Sequence, residues 1–260
     1  MPMLSRPCGD ISDNVIMAAQ ASGAMPLLLS HGYGATSDMF APNVPALAAH
    51  RMVVTWDLRG HGTSQSPSDE SCYSAEHALA DMAAILDELG LERAVLGGHS
   101  LGGFLSLDFT LAHPERVAGL VLIGTGPGFR NDEARNAWNQ RALATADRIA
   151  ERGIAGLGSS TELHGDAHKD INGLILAARG TLTQRDAHVI NGLPSIAVPA
   201  LIVVGAEDKH FLGAADYMAA KIAGARKVVV AGAGHAPNID DPETFNAEVL
   251  AFLSEIPASS

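Results

Sequence analysis

The sequence predicts an α/β fold: a mostly parallel central sheet flanked by helices, with one helical insertion before its last strands. Three observations carry that expectation. Short apolar runs rich in Val, Ile and Leu alternate with longer segments of helical period, the pattern of strands buried on both faces. About 75 residues between Gly124 and Pro199 break this rhythm with no strong strand. And 260 residues, 47% hydrophobic and 18% charged, are enough to bury one large core.

In chain order, Pro26 to Ser30 reads as the first clear strand and Arg51 to Trp56 as the second. An amphipathic helix follows, because Leu79, Met82, Leu86 and Leu89 recur at steps of three and four. Ser74 supplies its N-cap and Gly90 its stop. Ala94 to Gly97 and Val117 to Ile123 are the next strands, and a helix between them ends at His113-Pro114. The interval after Gly124 reads as a helical insertion, rich in Ala, Arg, Asp and Glu. Trp138, Leu143, Ile149, Ile154, Leu174, Ile175, Leu176 and Val189 are candidates for its inner side. Gly153, Gly156, Gly158 and Gly173 are expected to interrupt its helices. Ala200 to Val204 and Lys227 to Val230 complete the sheet. The last helix has Asp241 as cap, Pro242 in the first turn, and Phe245, Val249, Phe252, Leu253 and Ile256 on one face. The expected division is a core of residues 1–128 and 196–260, with a helical cap of residues 129–195.

Charge excludes some functions. With 17 Lys and Arg against 29 Asp and Glu the net charge is −12, and no basic run is present, so neither nucleic acid nor an anionic membrane surface is an expected partner. Two cysteines, Cys8 and Cys72, are too few for a disulfide framework and sit at no metal-ligand spacing, which suits a reducing compartment. Met1 to Asn14 lack the basic start and apolar stretch of a secretion signal. A soluble, cytoplasmic protein is the expectation.

Gly98-His99-Ser100-Leu101-Gly102 is the one G-x-S-x-G in the chain. A strand precedes it and a helix follows, so Ser100 must occupy a cramped turn that lifts its hydroxyl above the sheet. The glycines remove side chains that would collide there. The Leu101 N–H, opening the helix, is placed to meet negative charge on an attacked carbonyl oxygen. Serine at neutral pH needs an imidazole to take its proton and a carboxylate to orient that imidazole. Among 11 histidines, His235 alone follows a late strand through a glycine loop and precedes the final helix. Asp208 follows the strand ALIVV directly, with Glu207 as its rival; the loop after VAGLVLI offers no carboxylate before Asp132. His31-Gly32-Tyr33-Gly34, after the strand PLLLS, can give a second N–H, from Tyr33, whose phenol is expected to line the pocket. His31, His61 and His99 sit in glycine motifs and are expected to hydrogen-bond locally.

Other signals are weaker. His164 and His168 are four apart but lack the glutamate of H-E-x-x-H, so a solvated surface outweighs a metal site. The stretch Gly124 to Gly128 lacks a phosphate-binding Lys and reads as a hinge. Trp138, His210 and Phe211 are the candidate pocket residues.

The motifs HGYG, DLRGHGTS, GHSLGG, GAED and GAGH, in this order, resemble the α/β-hydrolase superfamily. The resemblance implies the α/β-hydrolase fold, with Ser100 as nucleophile, Asp208 as acid, His235 as base, and Tyr33 and Leu101 as oxyanion donors. It implies that the insertion is the family's cap and that the loop around Arg59, Gly60 and Gly62 is structural. The segment Cys8 to Gln20 departs from the family, being a less evident hairpin. The expected activity is cofactor-free serine hydrolysis of small, largely apolar carboxylic esters or lactones, with no metal. A carbon–carbon bond hydrolase, a cofactor-independent lyase or oxygenase, and a ligand receptor with a nearly idle triad are the alternatives. Oligomeric state is not legible.

Overall fold

The computed structural model describes residues 3–4, 8, 10–16 and 23–258. Its strands are β1 (Met3–Leu4), β2 (Ile11–Ile16), β3 (Leu27–Ser30), β4 (Val53–Trp56), β5 (Ala94–His99), β6 (Val117–Ile123), β7 (Ala200–Gly205) and β8 (Arg226–Val230). The helices are α1 (Val44–Ala48), α2 (Ala75–Glu88), α3 (Leu101–Ala112), α4 (Asp132–Arg152), α5 (Ile171–Arg179), α6 (His188–Gly192), α7 (Leu212–Lys221), α8 (Pro237–Asp240) and α9 (Pro242–Ser254). The sheet runs β1-β2-β4-β3-β5-β6-β7-β8. Its last six members in that order are parallel, while β1 and β2 join antiparallel at one edge. Within Cys8 to Gln20, the segment whose hairpin was less evident, the described residues form one strand, β2; its antiparallel partner β1 lies before Cys8, and residues 9 and 17–20 lie outside the described residues.

Burial on both faces explains the strand sequences. Leu28, Val54 and Leu96 turn to a core shared with α2, α3 and α7, and their neighbours Leu27, Val53 and Val95 turn to a second core under α1 and α9. A residue period of two delivers every second side chain to each face. Ser74 and Asp241 cap α2 and α9 by accepting from the N–H of His77 and Thr244. Phe245, Val249, Phe252 and Leu253 are buried, each stabilising the packing by roughly 1.5–3 kcal/mol.

Sheet order positions the site. From β3 the chain moves outward to β4, then returns to β5 on the other side of β3. The loops after β3 and β5 therefore part at the C-terminal ends of two adjacent strands, where open α/β sheets bind ligands. Those loops carry His31 to Gly34 and Ser100.

The segment between β6 and β7 is helical, as expected. Ile149, Leu174 and Ile175 form its small core with Ala146, Leu157 and Ala178. Val189 joins the main core instead, and Leu176 packs beside Cys72 and Tyr73. Gly153 and Gly158 bound a short 3-10 turn with φ of 62° and 94°. Gly173 interrupts nothing; it lies inside α5, where a Cβ would come within 2.6 Å of Gly60 Cα, so it is a point of close approach to the core.

The cysteines also require a correction. Cys8 and Cys72 form a disulfide, with Cα atoms 5.6 Å apart, that ties the N-terminal segment to the turn before α2. A formed disulfide removes the cysteine argument for a reducing compartment. Arg59 reinforces this corner, holding the Asp81 carboxylate on α2 through bonds of 2.8 and 3.0 Å and donating to the Cys8 carbonyl. No helix of the described residues is long and apolar enough to cross a membrane.

Candidate active site

Ser100 is the only non-glycine among the described residues with positive φ, at φ 50° and ψ −112°. β5 enters it and α3 leaves it, and its surroundings over-determine this costly conformation. Its N–H donates to Ile123 O at 2.9 Å, and its carbonyl accepts from Thr125 Oγ1 at 2.6 Å. The glycines around it are sterically required. A Cβ at Gly98 would lie 2.2 Å from Gly102 C, and one at Gly102 would lie 2.1 Å from Ser30 O and 2.7 Å from His31 O.

This contact makes a test. Gly102→Ala should cost about 1–3 kcal/mol by overpacking against backbone that cannot move freely. Gly213→Ala, inside α7 with nothing within 4 Å of its added Cβ, should be neutral or stabilise by about 0.5–1 kcal/mol. Equal urea midpoints for the two variants would refute the steric account.

The His235 loop approaches through similar openings. Gly124 lies where a Cβ would come 2.4 Å from His235 O, and Gly205 where one would come 2.1 Å from Gly234 O. His235 Nδ1 lies 2.7 Å from Asp208 Oδ2, and the carboxylate is 5% exposed against 30% for the imidazole. A carboxylate is an acceptor, so the Nδ1 proton is the one donated and Nε2 keeps its lone pair. Phe211 stacks on the imidazole at 4.9 Å and His99 meets it edge-on at 4.6 Å. Glu207, the rival carboxylate, is exposed and, among the described residues, bonds only through its backbone, donating to Ala233 O and accepting from Lys209 N–H.

Ser100 and His235 face one cavity of about 440 Å³. The Ser100 hydroxyl has no hydrogen bond to any described residue. Gly32 comes so near Ser100 that a Cβ there would lie 3.3 Å from Ser100 Cβ. Neither the Tyr33 N–H nor the Leu101 N–H has an acceptor among the described residues, and Leu101 opens α3, whose first amides lack intrahelical partners. Leu101 lines the cavity and Tyr33 follows Gly32, which approaches Ser100, so two amides without a partner belong to segments next to that serine. The Tyr33 phenol, expected in the pocket, instead donates to Leu174 O at 2.9 Å and packs into the core of the helical segment.

Trp138, His210 and Phe211 line the cavity. Sequence reasoning missed Phe104, Phe129, Arg141 and Gln184, which also line it. Arg141 lies three residues after Trp138 on α4, a spacing that puts both on one helix face and could have found it. Thr125 to Gly128, within the stretch expected to be a hinge, are part of the cavity wall.

Four other histidines hold loops. His31 donates from Nδ1 to Gly32 O and accepts at Nε2 from Leu58 N–H, joining the loops after β3 and β4, and burial lowers its pKa to about 4. His99 donates from Nε2 to His235 O at 3.0 Å, and burial pushes its pKa well down. His61 is likewise depressed by burial and donates to Arg59 O. His168, expected on a solvated surface, is instead a bridge. It accepts from Gly62 N–H and donates to Gly34 O, both at 3.0 Å, clamping the helical segment onto two core loops. Among the described residues no group of three His, Cys, Asp or Glu could hold a metal.

Known proteins match this architecture. A family model described as the alpha/beta hydrolase fold matches residues 25–162. The chain is 30% identical over 258 residues, 92% of its length and 97% of the relative's, to a Pseudomonas savastanoi pv. phaseolicola protein named provisionally as carbamate hydrolase RutD. It is 28% identical over 261 residues to the pimeloyl-[acyl-carrier protein] methyl ester esterase of Pectobacterium carotovorum, spanning 90% of this chain and 96% of that one. The crystal structure of the enol-lactonase from Burkholderia xenovorans LB400 superposes with TM-score 0.76 at 26% identity, covering 98% of this chain and 100% of that one.

Proposed function

The chain belongs to the α/β-hydrolase family, and from that premise we propose that it is a serine hydrolase cleaving small carboxylic esters or lactones through an acyl-enzyme. The observation that carries this reading is the Asp208–His235 bond at a cavity that Ser100, in its strained turn, also lines. Ser100 Oγ attacks the substrate carbonyl carbon while His235 Nε2 takes its proton. Asp208 holds the Nδ1 proton, fixing the tautomer and stabilising the imidazolium. The amides of Tyr33 and Leu101 donate to the oxyanion. His235 then protonates the departing alkoxide oxygen, and water, activated by the same Nε2, hydrolyses the acyl-enzyme. Nucleophile, base, orienting carboxylate and oxyanion donors all come from the chain, so the cycle needs no cofactor.

The names of two relatives, a methyl ester esterase and an enol-lactonase, favour an ester or lactone carbonyl as the target. Trp138, His210 and Phe211 serve as pocket residues in this reading, and residues 129–195 as the cap that shapes substrate choice. A fluorophosphonate probe should label the protein stoichiometrically, with the added mass on the peptide containing Ser100. Absence of labelling would refute the nucleophile assignment and favour a binding protein on this fold.

A further inference from the structure

One charged side chain in the cavity is used neither by the core nor by the proposed reaction. Arg141, on α4, lines the cavity beside Trp138, and its guanidinium has no hydrogen bond or ion pair among the described residues. Its neighbours are committed elsewhere: Arg130 to Asn191 and Tyr217, and Arg135 to Asp132 and Phe129 O. Arg141 is an exposed residue, and the described lining contains no Asp, Glu or Lys to answer its charge.

The wall around Arg141 is held firmly. The Trp138 indole donates to Leu182 O at 2.9 Å. Asn139 takes the Gln184 N–H at 2.8 Å and donates to Gln184 O at 2.9 Å. Gln184 Oε1 is buried without a partner, close to Gly128, where a Cβ would come within 2.7 Å of it. With its oxygen turned inward, Gln184 presents its NH2 as the group free for a ligand. The lining of the cavity therefore combines the reacting Ser100 with apolar side chains, Leu101, Phe104 and Leu182 among them, and with donors at Arg141 and Gln184.

We propose that Arg141 recognises a carboxylate on the substrate, so that the preferred esters or lactones are anionic, with the charge separated from the reacting carbonyl by a short apolar spacer. The planar guanidinium fork matches a carboxylate bidentately. The surrounding negative charge of the protein makes such a local cation necessary to admit an anion. This inference rests on the ester-hydrolase reading and sharpens its substrate class.

The test compares mono-4-nitrophenyl adipate with 4-nitrophenyl hexanoate, in which a methyl group replaces the remote carboxylate. The wild type should favour the adipate monoester in kcat/KM. In Arg141→Ala the ratio of the two kcat/KM values should fall by about ten- to hundredfold, through KM of the anionic ester, as expected for loss of a charged hydrogen-bonding partner. Arg141→Lys should retain part of the preference, and Arg141→Glu should invert it. A wild-type ratio near one, or a ratio unchanged in Arg141→Ala, overturns the proposal while leaving the hydrolase reading intact. If neither ester is cleaved and the fluorophosphonate fails to label, the hydrolase reading is what falls. Calorimetry with adipate then decides the subsite: saturable binding lost in Arg141→Ala sustains it, and no binding to the wild type ends it.

Discussion

Ser100→Ala is expected to lower kcat/KM for 4-nitrophenyl acetate by roughly 10⁴- to 10⁶-fold, the loss seen when a serine nucleophile is removed from such a constellation. The hydroxyl makes no hydrogen bond to a described residue, so its removal leaves no partner unsatisfied, and the thermal midpoint should barely move. Alanine has a Cβ like serine and bears the same φ of 50°. An unfolded variant would thus be a sign that the turn, not the hydroxyl, had been damaged. Asp208→Asn provides the independent arm. It preserves shape but favours the wrong His235 tautomer, and should cost about 10⁴-fold in kcat. Ester turnover by Ser100→Ala at a rate near wild type would remove the nucleophile and with it the mechanism.

The second large effect is on acid stability. His31, His61 and His99 are each no more than 1% exposed, and burial lowers the pKa of all three; the half-buried His168 shifts the same way. Their folded forms are neutral at pH values where the unfolded chain's imidazoles, near 6.5, already bind protons. The unfolded state therefore takes up more protons as pH falls below about 6.5, and stability declines in that direction. For His31 the window closes near its folded value of about 4, and the full loss is about 3 kcal/mol. Urea unfolding at pH 7.5 and 5.5, a range above most carboxylate titration, should show a marked fall in midpoint. Its slope should exceed the ~1.4 kcal/mol per pH unit of a single histidine. An unchanged midpoint would mean that these imidazoles are hydrated. The same protonation would also break contacts that matter locally, since a charged His31 can no longer accept from Leu58 N–H, nor a charged His168 from Gly62 N–H.

Much of this was legible one residue at a time. Strand positions were readable because both faces of the sheet are buried, which forces continuous apolar runs such as VAGLVLI. Ser74 and Asp241 were readable as caps because capping is settled within three residues of the chain. The G-x-S-x-G turn was readable because its glycines answer a local steric demand around Ser100. The Tyr33 phenol, the bridging His168, and the disulfide between Cys8 and Cys72 were not readable in the same way. Each depends on a partner far along the chain: Leu174 for Tyr33, Gly34 and Gly62 for His168, and a cysteine 64 residues away.

The sequence by itself determined the alternation of strands and helices, the strained serine turn, and the order in which serine, carboxylate and imidazole follow one another. These are consequences of side-chain period, capping and backbone sterics, which act over a few neighbours. Only the tertiary structure decided that Asp208 rather than Glu207 meets His235, and that an unpaired Arg141 shares a cavity with Ser100. Which side chains converge depends on which strands lie side by side, β7 beside β8 for Asp208 and His235, and on where α4 comes to rest, and both are set by contacts between distant segments, which a local pattern does not encode.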